Sequence, residues 1–470
     1  MRAFLSAALT ISVAVALVVP AAAQDLRPDQ QRFRALYKEL VETNTSLSVG
    51  DCTLAAQKMA AHLKDAGYPD TDLHLFTAPG HPKEGGLVAV LHGSDPKTKA
   101  ILLLGHLDVV EAKREDWVRD PFVLNEEGGY FYGRGTADMK VQDAAWVDTM
   151  VRLKEEGFKH RRDIKLALTC GEETSTAFNG AGYLASHERD LIDAGFALNE
   201  GGGGRLDASG KHLVLTIQAA EKFPQNYKLE VTNPGGHSSR PVPNNAIYHL
   251  AAGLLKIQAY QFPFEASDIT RQYFRIMATQ VQGDVSKNMT AFANGDMSVA
   301  KTLATDPSYN AILHTTCVAT LLNAGHANNA LPQRADANIN CRIFPGTTPE
   351  QVRAKLEELV ADPEIKVTAS DKRSEVPKGP QPLTPEVVKP VEAVAAKMWP
   401  GVPVVPIMSA GATDGAFLTP AGIPTYGVSG MFGDPDGNGA HGLNERMRVS
   451  SVYEGRDFLY QVVKIYANQK

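Results

Sequence analysis

The chain is 470 residues long, with 43% hydrophobic, 21% charged and 7% aromatic content. That composition supports two or three domains with sizeable cores and excludes fibrous, collagenous and disordered chains. Acids number 53 against 47 bases, a formal charge of −6 with no basic block, which argues against nucleic acid or an anionic membrane surface as a partner, because both bind clustered Lys and Arg.

Residues 1–23 read as a cleavable export signal: Arg2 precedes an apolar stretch from Ala3 to Val19, followed by Pro20 and the small-residue run Ala21 to Ala23. The stretch is short for a membrane anchor. The expected product is therefore a secreted, periplasmic protein with no stable membrane association. From residue 24 to 220 the runs GGLVAVLHG, AILLLGHLDVV, DIKLALTCGEET and GFALNEGGGG alternate with helical patterns over 51–66 and 141–157. This predicts an α/β fold, a mostly parallel sheet covered by helices. Ligand sites in such sheets lie beyond the carboxyl ends of the strands, where these runs carry their His, Asp and Glu residues.

Residues 221–370 read as an inserted α+β unit, with helices over 245–257 and in TPEQVRAKLEELVAD, and strands in YKLEVTN, ADANINCRIF and IKVTAS. The stretch 261–310 is polar and irregular and predicts no element. After the Pro-rich VPKGPQPLTP, residues 371–470 resume the αβ pattern, rejoin the first unit and close on a helix over 452–468. Cys52, Cys170, Cys317 and Cys341 lack metal-type spacing and are expected as buried small side chains. Export permits a disulfide, with three full connectivities open.

His106 and Asp108 in GHLD, Asp138 in GRGTADMK, Glu172-Glu173 in CGEETS, Glu200 in NEGGGG and His441 in GAHGLNE each end an apolar run or sit in a glycine-flanked loop. Imidazole with carboxylate is the donor mixture of catalytic zinc sites. Two His and three carboxylates serve two metals if one carboxylate bridges them. Of the neighbouring Glu172 and Glu173, one can move a proton while the other binds metal. Asp108, two residues from His106, is placed to hold the second imidazole nitrogen.

Together the motifs GHLDVV, GRGTADMK, GEE, NEGG, GGHSSRP and GAHGLNE resemble those of the dizinc amidohydrolase family that includes carboxypeptidase G, vacuolar carboxypeptidase S, aminoacylase, acetylornithine deacetylase and succinyl-diaminopimelate desuccinylase. The resemblance implies a zinc-exopeptidase-like catalytic domain over 24–220 and 371–470, with an inserted ferredoxin-like lid and dimerisation domain over 221–370. It also implies two Zn2+ per chain, with Co2+ or Mn2+ as substitutes. On the matching positions, His106, Asp138 and Glu200 look like the ligands of one metal, and Asp138, Glu173 and His441 those of the other. Glu172 falls on the general base and Asp108 on the support of the first His.

By the same likeness His237 in GGHSSRP belongs at the substrate carbonyl oxygen, and Asn329 and Arg342 look like lid contacts to substrate. Gly411 and Thr413 in SAGATDGAF resemble a loop whose backbone groups hold the substrate's acidic end. Met139 departs from the family's pattern at a bond that is often cis in relatives, and 261–310 lengthens the lid. Glu200 in place of Asp accompanies carboxypeptidase or aminoacylase behaviour. The expected activity is cleavage of a peptide or N-acyl amino acid amide bond beside a free carboxylate, in a homodimer joined through the lid. A broad aminoacylase or dipeptidase is the nearest alternative, and a non-catalytic periplasmic binding protein the remote one.

Overall fold

The computed structural model describes residues 26–174, 178–370 and 382–470; the segment expected to be an export signal and part of the Pro-rich connector lie outside the described residues. The apolar runs form strands because their side chains are buried on both faces of a sheet, as all six residues of Ile101–His106 are. They join a ten-stranded mixed sheet. At its centre Ile101–His106 lies between Ile164–Thr169 and Phe196–Asn199, parallel to both. The carboxyl ends that carry His106, Glu172-Glu173 and Glu200 therefore emerge side by side at one edge of the sheet.

Helices cover both faces. Leu103 and Leu166 point into a core shared with Tyr37, Met59, Trp146 and Phe458, whereas Leu102, Leu104 and Ala197 point the other way, against Leu184, Leu418 and Ile423. Asp51 starts the helix Cys52–Asp65 by accepting a hydrogen bond from the Leu54 N–H, as a cap should. Among the described residues no helix is long and apolar enough to cross a membrane.

The chain leaves the large sheet where His212–Glu221 ends, and Phe223–Thr232 opens a four-stranded antiparallel sheet. Its order is Thr316–Ala324, Arg334–Ile343, Phe223–Thr232, Lys366–Ala369. The helices Ala246–Ala259 and Pro349–Val360 pack Leu250 and Leu356 on one face, the ferredoxin-like split βαβ arrangement.

The stretch 261–310 departs from expectation. It holds the helices Asp268–Met277, Gly283–Ala293 and Ala300–Leu303, and enters Pro307–Leu313. Phe274, Met289, Phe292 and Leu303 are buried against Val214 and Val405 of the large sheet. Short helices separated by Gly and Asn turns dilute the helical period below notice, and the apolar face serves the large sheet rather than the small one.

The cysteines also differ from expectation, since Cys52 pairs with Cys170 and Cys317 with Cys341. The partners are 118 and 24 residues apart, so only the assembled fold brings them together, and no local spacing announces them.

Candidate metal centre

His106 ends its strand, Glu172 and Glu173 follow Ile164–Thr169, Glu200 follows Phe196–Asn199, Asp138 precedes the helix Lys140–Glu155, and His441 precedes the strand Arg446–Arg448. His106 Nε2 lies 3.3 Å from Asp138 Oδ1 and 3.7 Å from Glu200 Oε1. His441 Nε2 lies 3.0 Å from Asp138 Oδ2 and 2.9 Å from Glu173 Oε1. The two oxygens of Asp138 thus face two different imidazoles. Each trio offers donor atoms within 4.8 Å of one another, and Glu172 joins His106 and Glu173 in a further such group.

The donor set fits a pair of divalent cations. Among the described residues His106 Nε2 is buried with no hydrogen-bond partner, a state that native proteins seldom leave unexplained. Asp138, Glu172, Glu173 and Glu200 crowd together with only two imidazoles, an arrangement that repels itself unless protons or cations compensate. Nitrogen and oxygen donors in this mixture suit zinc or a similar ion. Burial pushes Glu172 up to about 10 and Glu173 to about 7. Burial also opposes ionisation of Asp138, but the adjacent His106 and His441 imidazoles outweigh it and hold that carboxyl below its usual range. The bond to Asp138 in turn raises His441 to about 9.

Around the donors the backbone is tightly specified. His441 and Asn444 adopt φ of 61° and 54°, the left-handed region that side chains other than Gly enter at a cost, often at functional sites. The Asp138–Met139 bond is cis. The thioether of Met139 accepts the His106 N–H at 3.3 Å.

Asp108 does not orient His106 through its carboxylate. His106 Nδ1 bonds the Asp108 backbone carbonyl at 3.0 Å, while the nearest carboxylate oxygen is 3.8 Å away. That carboxylate instead accepts the N–H groups of Gly171, Glu172 and Glu173 at 2.7, 3.3 and 3.0 Å. Its side chain shapes the Glu172 loop, and its backbone aims the imidazole.

Sequence reasoning missed Glu445. This buried carboxylate accepts from Arg134 Nη1 at 2.7 Å and from the N–H groups of Gly135, Ala137 and Asp138 at 3.0, 2.7 and 2.9 Å. It ties the loop of His441 to the loop of Asp138. The only signal in the sequence is an acid four residues after His441.

The residues assigned to substrate lie outside the donor cluster. His237 pairs with Ala330 in a two-residue ladder, and the Ser238 N–H donates to the Asn329 carbonyl, so His237 and Asn329 are neighbours, both exposed. Arg342 stands between Pro224 and Thr316 in the small sheet. The Thr413 N–H and hydroxyl both donate to Glu221 Oε2, at 3.1 and 2.9 Å, and the Gly411 N–H donates to Ser409 Oγ. These groups, expected to face a substrate's acidic end, are bonded within the protein because Glu221 ends its strand beside their loop.

The sequence model of the peptidase family M20/M25/M40 matches residues 102–465. The chain belongs to this family. The human N-fatty-acyl-amino acid synthase/hydrolase PM20D1 is 27% identical over 397 residues, 83% of this chain and 76% of that protein. A probable carboxypeptidase S-like 2 from Dictyostelium discoideum is 28% identical over 386 residues, 79% of this chain and 72% of the relative. Among solved structures, the M20 family metallo-carboxypeptidase Sso-CP2 of Sulfolobus solfataricus superposes with a TM-score of 0.68 at 20% identity, over 94% of this chain and 100% of that one. The M20/M25/M40 span takes in every candidate donor together with Glu172 and Glu445. Cys52 and the segment before it lie outside it.

Proposed function

We propose that this member of peptidase family M20/M25/M40 is an exported dinuclear metal hydrolase that cleaves an amide bond beside a free carboxylate, in a peptide or an N-acyl amino acid. The observation that carries the reading is the pair of donor trios sharing Asp138, with Glu172 close by and spare. Two relatives, one named as a fatty-acyl amino acid hydrolase and one as a carboxypeptidase, have in common an amide next to a carboxylate. Two disulfides suit an oxidising compartment.

In this reading His106, Asp138 and Glu200 hold one cation, and Asp138, Glu173 and His441 the other. The cations supply Lewis acidity to the scissile carbonyl and make a water easier to deprotonate. Glu172 takes the proton from the attacking water and delivers it to the departing amine nitrogen. Asp108 fixes the path of the Glu172 loop. His237 reaches the carbonyl oxygen when the unit around residues 221–370 closes over the cleft as a lid, and Asn329 and Arg342 approach substrate in the same movement. The helices within 261–313 ride with the large sheet and do not belong to that lid. The lid's free strand also joins two copies into a homodimer.

The test is Glu172→Gln, assayed against N-acyl amino acids, dipeptides and longer peptides. Metal content measured by mass spectrometry is expected to stay at the wild-type level, while kcat falls by about 10²- to 10⁴-fold. Wild-type turnover in this variant would refute the role of Glu172. Survival of wild-type activity after complete chelation of metal would refute the dinuclear reading itself.

A further inference from the structure

The loop that carries Glu172 is held by a frame with three sides. On one side the Asp108 carboxylate collects the N–H groups of residues 171–173. On the second the segment at Thr45 steadies Asp108 itself, for Thr45 Oγ1 donates to the Leu107 carbonyl at 2.6 Å and the Val109 N–H donates to the Thr45 carbonyl. The third side is covalent. The disulfide joins Cys52, in the first turn of Cys52–Asp65, to Cys170, the residue just before Gly171.

The anchor at Cys52 is rigid, since Ala55, Ala56, Met59 and Leu63 of that helix lie in the main core. At the start of the loop it restrains, the backbone is packed closely. Gly171 stands at φ +97°, and a Cβ there would meet the Phe178 carbonyl oxygen at 1.9 Å. Both cysteines are buried but border a cavity of about 220 Å³, with Ser48, Pro82, Lys83 and Asp108 among its walls, the side from which a small thiol would approach the bond.

We propose that the Cys52–Cys170 disulfide is a redox-addressable brace that positions Glu172: with the bond open, the enzyme keeps its metal donors in place but transfers protons slowly. The inference rests on reading Glu172 as the base. Opening is a thiol–disulfide exchange. A thiolate of an external dithiol attacks one cystine sulfur, its second thiol displaces the mixed disulfide, and the protein gains two thiols while the reagent becomes a cyclic disulfide. Two electrons and two protons pass to the protein. Among the described residues no candidate donor is bonded to either sulfur, and Glu173 on the same loop keeps a second tie through its carboxylate to His441 Nε2 at 2.9 Å, so the step changes where Glu172 stands more than what holds the cations.

The experiment treats metal-loaded, mature enzyme with dithiothreitol under argon, counts the thiols released, and measures kcat, KM and metal content. The Cys317→Ser/Cys341→Ser variant retains only the brace and attributes the effect to it. A misplaced catalytic group costs about 10- to 100-fold, so that loss in kcat is expected, with KM and metal content unchanged and recovery on reoxidation. Cys52→Ser/Cys170→Ser should match the reduced enzyme. Unchanged kcat with the bond shown to be open overturns the proposal, as does activity lost only in step with metal or with circular dichroism, which would make the bond a stabiliser of the fold alone. Full activity in Glu172→Gln refutes the base assignment instead, so the two failures are told apart.

Discussion

Four donors converge on the Glu445 carboxylate, three of them backbone N–H groups of the loop that presents Asp138. Glu445→Gln keeps the shape but sets an amide NH2 against two of those donors, since each oxygen accepts a pair of them, and leaves Arg134 uncompensated. Breaking a buried pair of this kind costs about 3–5 kcal/mol, and that loss is expected in denaturant melts. The variant should also bind its metals more weakly in a calorimetric titration, since Asp138 and His441 lose their common brace. Wild-type metal affinity would show that the two loops hold their geometry without it. The contrast between Glu445 and the donors marks what single residues disclose. Each donor sits in a short motif whose chemistry is local, so all of them were legible. Glu445 acts on an N–H 307 positions away, and nothing near it in the chain reports that partner. Asp108 falls between, for spacing put it beside His106 but did not say which of its oxygens would face the ring.

Elements repeat the pattern. The long apolar strands of the large sheet were legible because burial on both faces leaves an unbroken run, whereas the helices within 268–313 were not, since each is short and polar on the outside. Their contribution is measurable. Phe292 is fully buried against Phe274 and its neighbours, so Phe292→Ala is expected to cost about 3–5 kcal/mol in a denaturant melt. A cost near zero would mean that these helices do not share the large sheet's cooperativity. At the end of His212–Glu221, desolvation raises Glu221 from 4.5 to about 8. Between those pH values the folded chain keeps a proton that the unfolded chain has released, so stability declines as pH rises through the window. Glu221→Gln still offers Thr413 an oxygen acceptor but cannot titrate. The melting temperature of the metal-loaded variant should therefore fall less across that window than the wild type's. Parallel pH profiles would mean that Glu221 is already ionised in the fold.

Over the whole molecule, the small sheet ends on a free edge, Thr316–Ala324, where Val318, Leu321 and Leu322 are exposed beside Tyr248 and Leu255 of the neighbouring helix. An apolar edge with unpaired backbone groups invites another strand, and in the homodimer proposed above a second copy would supply one. Val318→Lys with Leu322→Lys is expected to shift the sedimenting mass from dimer to monomer, and an unchanged mass would place the interface elsewhere. The α+β character of this insert was readable from its strand and helix patterns and its ferredoxin-like form only from the family resemblance, but its exposed edge was not readable, because an apolar residue in a strand looks the same whether its neighbour is its own chain or another. The link from Cys52 to Cys170 has a consequence at this scale too. It closes a ring with a sequence separation of 118 residues, and His106, Asp108 and Asp138 all lie inside that ring, with Glu172 and Glu173 just past its clasp. In a chain-entropy picture such a ring removes about 5 kcal/mol of freedom from the unfolded state. The oxidised chain therefore keeps most of its metal donors in one tethered neighbourhood even when unfolded, and gathering them around a cation starts from a smaller search than the open chain would face.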